Sequence, residues 1–247
     1  MASTRLDVAL VSRGLVASRQ KAQALIRSGE VRLESRPVER VDLPVDDEAR
    51  IEVLAQPRYV SRGGDKLRGA LDAFGISAAG RVCLDAGAST GGFTDVLLED
   101  GALLVYAVDV GYGQLDWKLR QDERVVVMER TNIRDVRKLT GPAPSLAVGD
   151  LSFTPLQRVV PSIRDLLALP GEMVLLLKPQ FQVGRGAVGK GGVVRDEGAR
   201  QAALSEFSSW AMDNGLHVVA TADSTLAGAR GNREIFVHLR CERGDAG

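Results

Sequence analysis

Asp85-Ala86-Gly87-Ala88-Ser89-Thr90-Gly91-Gly92-Phe93-Thr94 is the stretch that decides the fold. It follows an apolar segment near residues 81–86, which predicts a buried strand, and it leads into a predicted helix. A glycine-rich turn at this position lets a ligand approach the backbone closely, because glycine has no Cβ. The spacing differs from the G-x-G-x-x-G pattern of dinucleotide-binding turns. We therefore expect a ligand site of another kind, the alternative being a merely tight turn.

From Lys66 onward, on both sides of this turn, apolar strands alternate with helices. Near-continuous apolar strands in this alternation indicate a mostly parallel sheet that is covered on both faces. The predicted fold class is therefore α/β, with a Rossmann-like sheet whose last strand is antiparallel. A helix at about 65–74 precedes the strands, which we place near residues 81–86, 103–109, 124–129, 145–150, 172–178, 216–222 and 234–240.

Acidic residues beside the turn favour S-adenosylmethionine as the ligand. Asp85 suits an ammonium or sulfonium group better than a pyrophosphate, and S-adenosylmethionine carries both cations. Asp109 ends the second strand about twenty residues later, where α/β nucleotide-binding proteins hold ribose hydroxyls. Asn132 and Ile133 follow the third strand, at a position suited to adenine. The predicted cofactor site comprises Asp85, Gly87, Ala88, Ser89, Thr90, Gly91, Gly92, Phe93, Asp109, Val110, Gly111, Gln114, Asn132 and Ile133.

Charged residues at the ends of the later strands indicate a catalytic site. Ligands of open α/β sheets lie beyond the carboxyl ends of the strands, so Asp150 and Lys178 at two such ends face the cofactor. An antiparallel last strand would bring Glu234 to the same edge, and Lys66 would approach from the preceding helix. This set suits methyl transfer to a ribose 2′-hydroxyl, which must be aligned and lose its proton. Lys178 either removes that proton or steers the oxygen, and the alternative is a structural lysine.

Other methyl acceptors fit the sequence less well. Methylation of an amino nitrogen usually shows Asn/Asp-Pro-Pro-Tyr/Phe after the fourth strand, and Asp150-Leu151-Ser152-Phe153 lacks the prolines. Methylation of carbon would need a nucleophilic cysteine at this edge, but Cys83 is mid-strand and Cys241 lies near the end of the chain. A base nitrogen remains the alternative acceptor.

The N-terminal segment has its own pattern, which predicts a small α+β domain over residues 1–54. It reads as two helices followed by short strands, with Ser18 capping the second helix and Gly29 ending it. Residues 55–63 read as a linker because they contain proline and glycine. The predicted organisation is a small RNA-binding domain, this linker, and a methyltransferase domain over residues 64–247.

Basic residues in the first two predicted helices indicate RNA binding. Arginine and lysine contacts with phosphate give affinity without sequence readout, although a solvated helix face is the alternative. The formal net charge of the chain is zero, so only local clusters can serve this purpose. The glycine-rich loop near residue 186 either folds over the nucleotide or is an ordinary loop. The predicted RNA-binding residues are Arg5, Arg19, Lys21, Arg27, Arg62, Arg68, Arg185 and Lys190.

The composition of the chain limits the classes of protein to which it can belong. The chain has 247 residues with 45% hydrophobic content, no apolar run of the ~20 residues that a membrane helix needs, and no signal-peptide pattern. Its two cysteines suit a reducing compartment better than a disulfide. We expect a soluble, cytoplasmic protein without a metal site.

Several motifs together resemble the TlyA family of ribosomal RNA methyltransferases, which are also labelled haemolysins. The resemblance covers nearly the whole chain. At the N-terminus it is carried by Arg5-Leu6-Asp7, Ser18-Arg19-Gln20-Lys21-Ala22 and Ile26-Arg27-Ser28-Gly29-Glu30-Val31. Further on it is carried by the glycine turn and by Tyr59-Val60-Ser61-Arg62-Gly63-Gly64-Asp65-Lys66-Leu67, Val108-Asp109-Val110-Gly111-Tyr112-Gly113-Gln114-Leu115 and Gly189-Lys190-Gly191-Gly192-Val193-Val194-Arg195-Asp196.

The resemblance implies a small ribosomal-protein-type RNA-binding module followed by an FtsJ-like methyltransferase domain. It implies 2′-O-methylation of cytidine in the RNA of ribosomal subunits, with no obligate protein partner. The Lys-Asp-Lys-Glu set of that family maps onto Lys66, Asp150, Lys178 and Glu234. The alternatives are a membrane-active haemolysin, which would need an apolar span or a cationic amphipathic helix, and an inactive RNA-binding factor.

Overall fold

A computed structural model describes residues 3–54, 58–182, 189, 191–228 and 231–242 of the chain. The chain divides into two compact units, Met1–Pro57 and Arg58–Gly247. Each unit has its own hydrophobic core.

The first unit packs two helices against short strands. Ser18 caps the second helix by accepting a hydrogen bond from the backbone N–H of Lys21, and Leu6, Leu10 and Ile26 fill the core. One pair of strands, β1 with β4, and one three-stranded sheet in the order β3-β2-β5 complete the unit. The elements are β1 (Ser3–Arg5), α1 (Leu6–Ser12), α2 (Arg19–Arg27), β2 (Val31–Leu33), β3 (Arg36–Pro37), β4 (Pro44–Asp46) and β5 (Ile51–Val53).

The second unit is built on one seven-stranded sheet with the strand order β11-β12-β10-β9-β6-β7-β8. Its strands are β6 (Val82–Ala86), β7 (Leu104–Val108), β8 (Val125–Met128), β9 (Leu146–Gly149), β10 (Gly171–Leu177), β11 (Leu216–Asp223) and β12 (Ile235–Cys241). Its helices are α3 (Arg62–Phe74), α4 (Gly92–Glu99), α5 (Trp117–Arg120), α6 (Val160–Leu166), α7 (Pro179–Gln182) and α8 (Glu197–Asp213).

The strand directions confirm the predicted fold class. Five neighbouring strands of the sheet are mutually parallel, in the order β10, β9, β6, β7 and β8. In contrast, β12 pairs antiparallel with both β10 and β11. Leu177 at the end of β10 lies opposite Ile235 at the start of β12. The start of β12 therefore lies at the same edge as the carboxyl ends of the parallel strands.

Both faces of this sheet are covered. Alternate residues of β6 enter different cores, so that Leu84 packs on the face that includes α6 and α8, and Cys83 packs on the face of α3 and α4. Burial of a leucine side chain contributes roughly 1.5–3 kcal/mol, and the central strands β6, β9 and β10 each carry fully buried leucines. The rigid sheet holds the loops at its carboxyl edge.

The segment that follows the first unit is attached to the second one. Tyr59 is 3% exposed and packs against Gly64 in the first turn of α3, where a Cβ would collide with the ring. The backbone N–H of Val60 donates to Asp95 Oδ2 in α4 at 2.8 Å. The linker predicted over residues 55–63 thus includes residues that belong to the second compact unit, which begins at Arg58.

Candidate active site

Two adjoining clefts open at the carboxyl edge of the sheet. The first, of about 330 Å³, lies between the glycine turn and the starts of α3 and β12. The second, of about 460 Å³, lies between the ends of β7 and β9. Gly87, Ser89, Asp150 and Ser152 line both clefts, which therefore form one continuous surface beside the turn.

Glycines allow the backbone to pack closely around the first cleft. Gly87 has φ +87°, and a Cβ there would lie 3.1 Å from the carbonyl oxygen of Asp150. A Cβ on Gly92 would collide with Ser61 Oγ at the start of α3. The N-termini of α3 and α4 consequently meet beside the cleft, and the partial positive charge of a helix N-terminus favours a bound anion.

Asp109 organises the second cleft. Its Oδ1 accepts from the backbone N–H of Gly111 at 2.6 Å, and its Oδ2 accepts from the backbone N–H of Ser89 at 2.8 Å. One carboxylate thus ties the glycine turn to the loop after β7. Since a carboxylate has about four lone-pair positions, two remain for a ligand. Val110 and Ile133 add apolar surface to this cleft.

Most of the predicted cofactor residues line these clefts. Gly87, Ala88, Ser89, Thr90, Gly92 and Phe93 line the first, and Asp109, Val110, Gln114, Asn132 and Ile133 line the second. Gly91 and Gly111 line neither. A Cβ on Gly91 would collide with Leu119, and one on Gly111 would collide with the Gln114 side chain, so both glycines shape the loops.

Asp85 also lies away from both clefts, contrary to the expectation of direct contact with a cation. It is fully buried on the same sheet face as Cys83, and its Oδ2 accepts a hydrogen bond from Thr94 Oγ1 at 2.7 Å. Its Oδ1 has no hydrogen-bond partner among the described residues. Burial raises the pKa of Asp85 to about 7, although the hydroxyl of Thr94 opposes this rise. The Asp85 carboxyl group therefore lies buried beneath the glycine turn, where it has a structural role.

The four predicted catalytic residues line the first cleft as two ion pairs. Lys66 Nζ in α3 lies 2.6 Å from Glu234 Oε2, and Lys178 Nζ lies 2.7 Å from Asp150 Oδ1. The Glu234 side chain is 3% exposed and the two lysines are each 11% exposed. A Cβ on Gly228 would lie 2.5 Å from Glu234 Oε1, so this glycine leaves room for the carboxylate. The arrangement places two nearly buried cations beside the glycine turn without a net excess of charge.

Two further residues of the clefts were not predicted from the sequence. Ser152 Oγ accepts a hydrogen bond from Lys178 Nζ at 2.7 Å. Phe153 is 90% exposed, has φ +64°, lines the second cleft and contacts the Phe181 ring at 5.3 Å between centroids. Both follow the fourth strand directly, so the rule that placed Asp150 at this edge also applied to them.

In the first unit, two predicted RNA-binding arginines share one carboxylate. Arg5 Nε lies 3.0 Å from Asp7 Oδ1, and Arg19 Nε lies 2.8 Å from Asp7 Oδ2, which also accepts from the Gln23 side chain. Burial alone would raise the pKa of Asp7, but the hydrogen bonds from Arg5, Gln23 and Arg19 hold it well below its usual value. About half of each arginine side chain is exposed, so both can still meet a ligand.

The remaining predicted RNA-binding residues have different environments. Lys21 and Arg27 are exposed on α2, and Arg62 is exposed at the rim of the first cleft. Arg68 pairs with Asp72 at 2.7 Å and with Asp100 at 3.0 Å, which indicates a structural role instead. Arg185 and Lys190 lie outside the described residues.

Within the ranges that the structure describes, no helix is both long enough and apolar enough to cross a membrane. The same ranges contain no group of three or more histidine, cysteine, aspartate or glutamate side chains that could hold a metal ion.

Comparison with known proteins identifies both units. Residues 4–51 match the model of the S4 domain, and residues 59–241 match that of the FtsJ-like methyltransferase family. The second match covers well over half of the chain. An S-adenosylmethionine-dependent methyltransferase from Listeria monocytogenes shares the fold, with TM-score 0.55 and 14% identity over 74% of this chain and 100% of that one.

Full-length relatives are also found. The 16S/23S rRNA (cytidine-2′-O)-methyltransferase TlyA of Mycobacterium tuberculosis is 47% identical over 96% of this chain and 90% of its own length. A solved structure from Streptococcus thermophilus, of a protein named as a hemolysin, has TM-score 0.76 and 38% identity, covering 100% of this chain and 92% of that one. The chain therefore belongs to the TlyA family of ribosomal RNA methyltransferases, with an S4 domain followed by an FtsJ-like methyltransferase domain.

Proposed function

We propose that this protein uses S-adenosylmethionine to methylate the ribose 2′-hydroxyl of a cytidine in ribosomal RNA. The observation that carries the proposal is the pair of lysine–carboxylate contacts lining one cleft beside the glycine turn. The relative from M. tuberculosis is named for this reaction, which supports the nucleoside and the class of RNA. In this proposal the second unit transfers the methyl group and the first unit binds RNA in the cytoplasm.

The residues of the two clefts fit the cofactor. Asp109 would hold its ribose hydroxyls with the two lone-pair positions that Gly111 and Ser89 leave free. Val110 and Ile133 would pack against the adenine, and the N-termini of α3 and α4 would receive the carboxylate. When bound, S-adenosylmethionine supplies an electrophilic methyl group.

Lys178 is the residue that we assign to the acceptor hydroxyl. Its ammonium or amine group lies in the first cleft, next to the residues that both clefts share. There it would align the 2′-oxygen and either take or steer the departing proton, a role worth roughly 10²–10⁴ in rate. Asp150 balances its charge, and Lys66, held by Glu234, adds a second cation to the same cleft.

The RNA side of the proposal rests on exposed basic and aromatic residues. Arg5 and Arg19 are oriented by Asp7 toward solvent, which suits contacts with phosphate. Arg62 is exposed at the cleft rim and would receive a phosphate near the acceptor. The ring of Phe153 offers a face on which an unpaired base could stack.

The test is methyl transfer from labelled S-adenosylmethionine to small subunits, large subunits and assembled ribosomes, followed by digestion of the RNA to nucleosides. We expect label in 2′-O-methylcytidine with the wild type, and a loss of roughly 100-fold or more with Lys178→Ala. Cofactor affinity should stay close to that of the wild type in this variant. Lys138→Ala, an exposed lysine after the third strand of the parallel group, is the matched control.

Each other result has a definite meaning. Label on a base would keep the methyltransferase fold and overturn the assignment of the acceptor. Full activity of Lys178→Ala would remove this lysine from the reaction. Cofactor binding without transfer to any of the three particles would contradict ribosomal RNA as the substrate.

A further inference from the structure

The environment of Lys178 contains a directional contact that the two ion pairs do not explain. Lys178 Nζ donates a hydrogen bond to Ser152 Oγ at 2.7 Å. Asp150 Oδ1 lies equally close at 2.7 Å, yet this buried oxygen accepts no aligned hydrogen bond from the described residues. Attraction between charges has little directionality, whereas a hydrogen bond weakens steeply when it is bent. The direction of the lysine head is therefore set by Ser152.

The position of Ser152 is itself unusual. It lies two residues after Asp150 and lines both clefts, so its hydroxyl is at their junction. The next residue, Phe153, has φ +64°, a conformation that is costly for any residue other than glycine. Such strain persists where surrounding structure enforces it, and it is frequent at functional sites. The turn after β9 thus presents Ser152 to Lys178 at an energetic cost.

A fixed hydrogen bond restricts what Lys178 can offer the acceptor. An ammonium has three N–H bonds, and a neutral amine has two N–H bonds and one lone pair. In either state Ser152 occupies one N–H, while Asp150 Oδ1 lies close to Nζ without accepting an aligned hydrogen bond. A free position remains, which is an N–H that can hold the 2′-oxygen or, in the neutral amine, a lone pair that can accept its proton.

We infer that Ser152 is a positioning residue of the methyl-transfer site, which orients Lys178 so that its free position meets the acceptor 2′-hydroxyl. The inference rests on the proposed function, because it assumes that Lys178 handles a hydroxyl group. It adds a fifth residue to the set of two lysines and two carboxylates, and it assigns to Ser152 no contact with the reacting atoms.

The experiment compares Ser152→Ala and Ser152→Thr with the wild type on the same RNA. We expect Ser152→Ala to lower kcat by about tenfold, the effect of losing a hydrogen bond to a charged group. The KM for RNA and the affinity for S-adenosylmethionine should change by less than about twofold, because Ser152 acts through Lys178. Ser152→Thr keeps the hydroxyl and should recover about half of the lost rate or more. Ser205→Ala, on the exposed side of α8, controls for the removal of a serine hydroxyl.

The same serine substitution made in the Lys178→Ala variant distinguishes an effect on the orientation of Lys178 from a general effect on the fold. In Lys178→Ala, whose residual transfer is measured over long incubation, the further change Ser152→Ala should have no effect, because the two side chains act as one unit. An equal further loss in this background would overturn the inference, as would wild-type kcat in Ser152→Ala or a loss confined to KM. The nucleoside formed by the wild type tests the proposed function separately from these ratios.

Discussion

Asp85 carries a carboxyl group in a fully buried position beneath the glycine turn. Burial raises its pKa to about 7, against 3.8 for an ordinary aspartate, so between these values the folded chain binds a proton that the unfolded chain releases. This contribution to stability is complete below the ordinary value and is lost as the pH rises through about 7. We expect Asp85→Asn to remove this dependence, so that the variant gains stability relative to the wild type as the pH rises.

Urea unfolding at about pH 5 and about pH 8 measures this effect, since the change in the free energy of unfolding between the two conditions should be smaller in Asp85→Asn. Thr94→Val, which removes the hydroxyl that donates to the carboxylate, is a control that leaves the titrating group in place. The same pH dependence in wild type and Asp85→Asn would show that Asp85 is ionised throughout this range.

At the scale of single residues, the positions of the site residues could be predicted from the sequence better than the directions of their side chains. Asp150, Lys178 and Glu234 could be placed because strand ends meet at one edge of a parallel sheet. The inward direction of Asp85 follows from alternation with Cys83 along β6, a face that the sequence does not identify by itself. The strand-end rule also places Ser152 at this edge, but its contact with Lys178 depends on the turn after β9, which the sequence does not specify.

At the scale of elements, the contact between Lys66 and Glu234 joins the start of α3 to the start of β12. The pair is nearly buried, so removal of the lysine alone leaves a carboxylate without its counter-charge. We expect Lys66→Ala to destabilise the protein by about 3–5 kcal/mol, and the double variant Lys66→Ala/Glu234→Ala to recover most of this loss. Both should be inactive in methyl transfer.

Denaturant unfolding of the two single variants and of the double variant forms a complete cycle for this pair. Additive losses in the double variant would mean that the two side chains stabilise the protein independently. Stability of Lys66→Ala equal to that of the wild type would show that water reaches Glu234 and replaces the lysine.

Helices and strands could be predicted where apolar residues recur along the sequence in a recognisable pattern. Most strands of the large sheet are apolar runs of four to seven residues, β11 alternates more buried with exposed residues over eight, and all match the predicted positions closely. In contrast, β1, β3 and β4 contain two or three residues and lack the apolar–polar–apolar alternation that β2 and β5 show at the same length. Proline and glycine favour a linker over residues 55–63, and the burial of Tyr59, which depends on tertiary packing, includes residues 58–63 in the second unit.

At the scale of the whole molecule, charge is balanced overall and uneven locally. With a formal net charge of zero, attraction to RNA depends on clusters such as the exposed side of α2. We expect the double variant Lys21→Ala/Arg27→Ala to weaken RNA binding and to lower the slope of log affinity against log salt by roughly 1–2, since each lost phosphate contact removes about 0.7–0.9. Affinity for S-adenosylmethionine should not change.

Filter binding or fluorescence anisotropy across a salt series measures this slope. The charge-matched control is Arg36→Ala/Arg40→Ala, which removes two exposed arginines from the part of the first unit that carries the short strands. An unchanged slope in the α2 variant, or an equal change in the control, would contradict a phosphate-binding role for α2.

The placement of β12 between β10 and β11 has a consequence for synthesis. This strand is the last one described in the chain, yet it fills an interior position of the sheet, and among the described strands β11 pairs with β12 alone. Until β12 has emerged from the translating ribosome, the sheet has a gap and Lys66 has no Glu234 to pair with. We therefore expect a growing polypeptide to lack methyl-transfer activity until this strand is available to the sheet. Truncated products that lack this strand should modify no RNA, which makes a single late strand a checkpoint for activity.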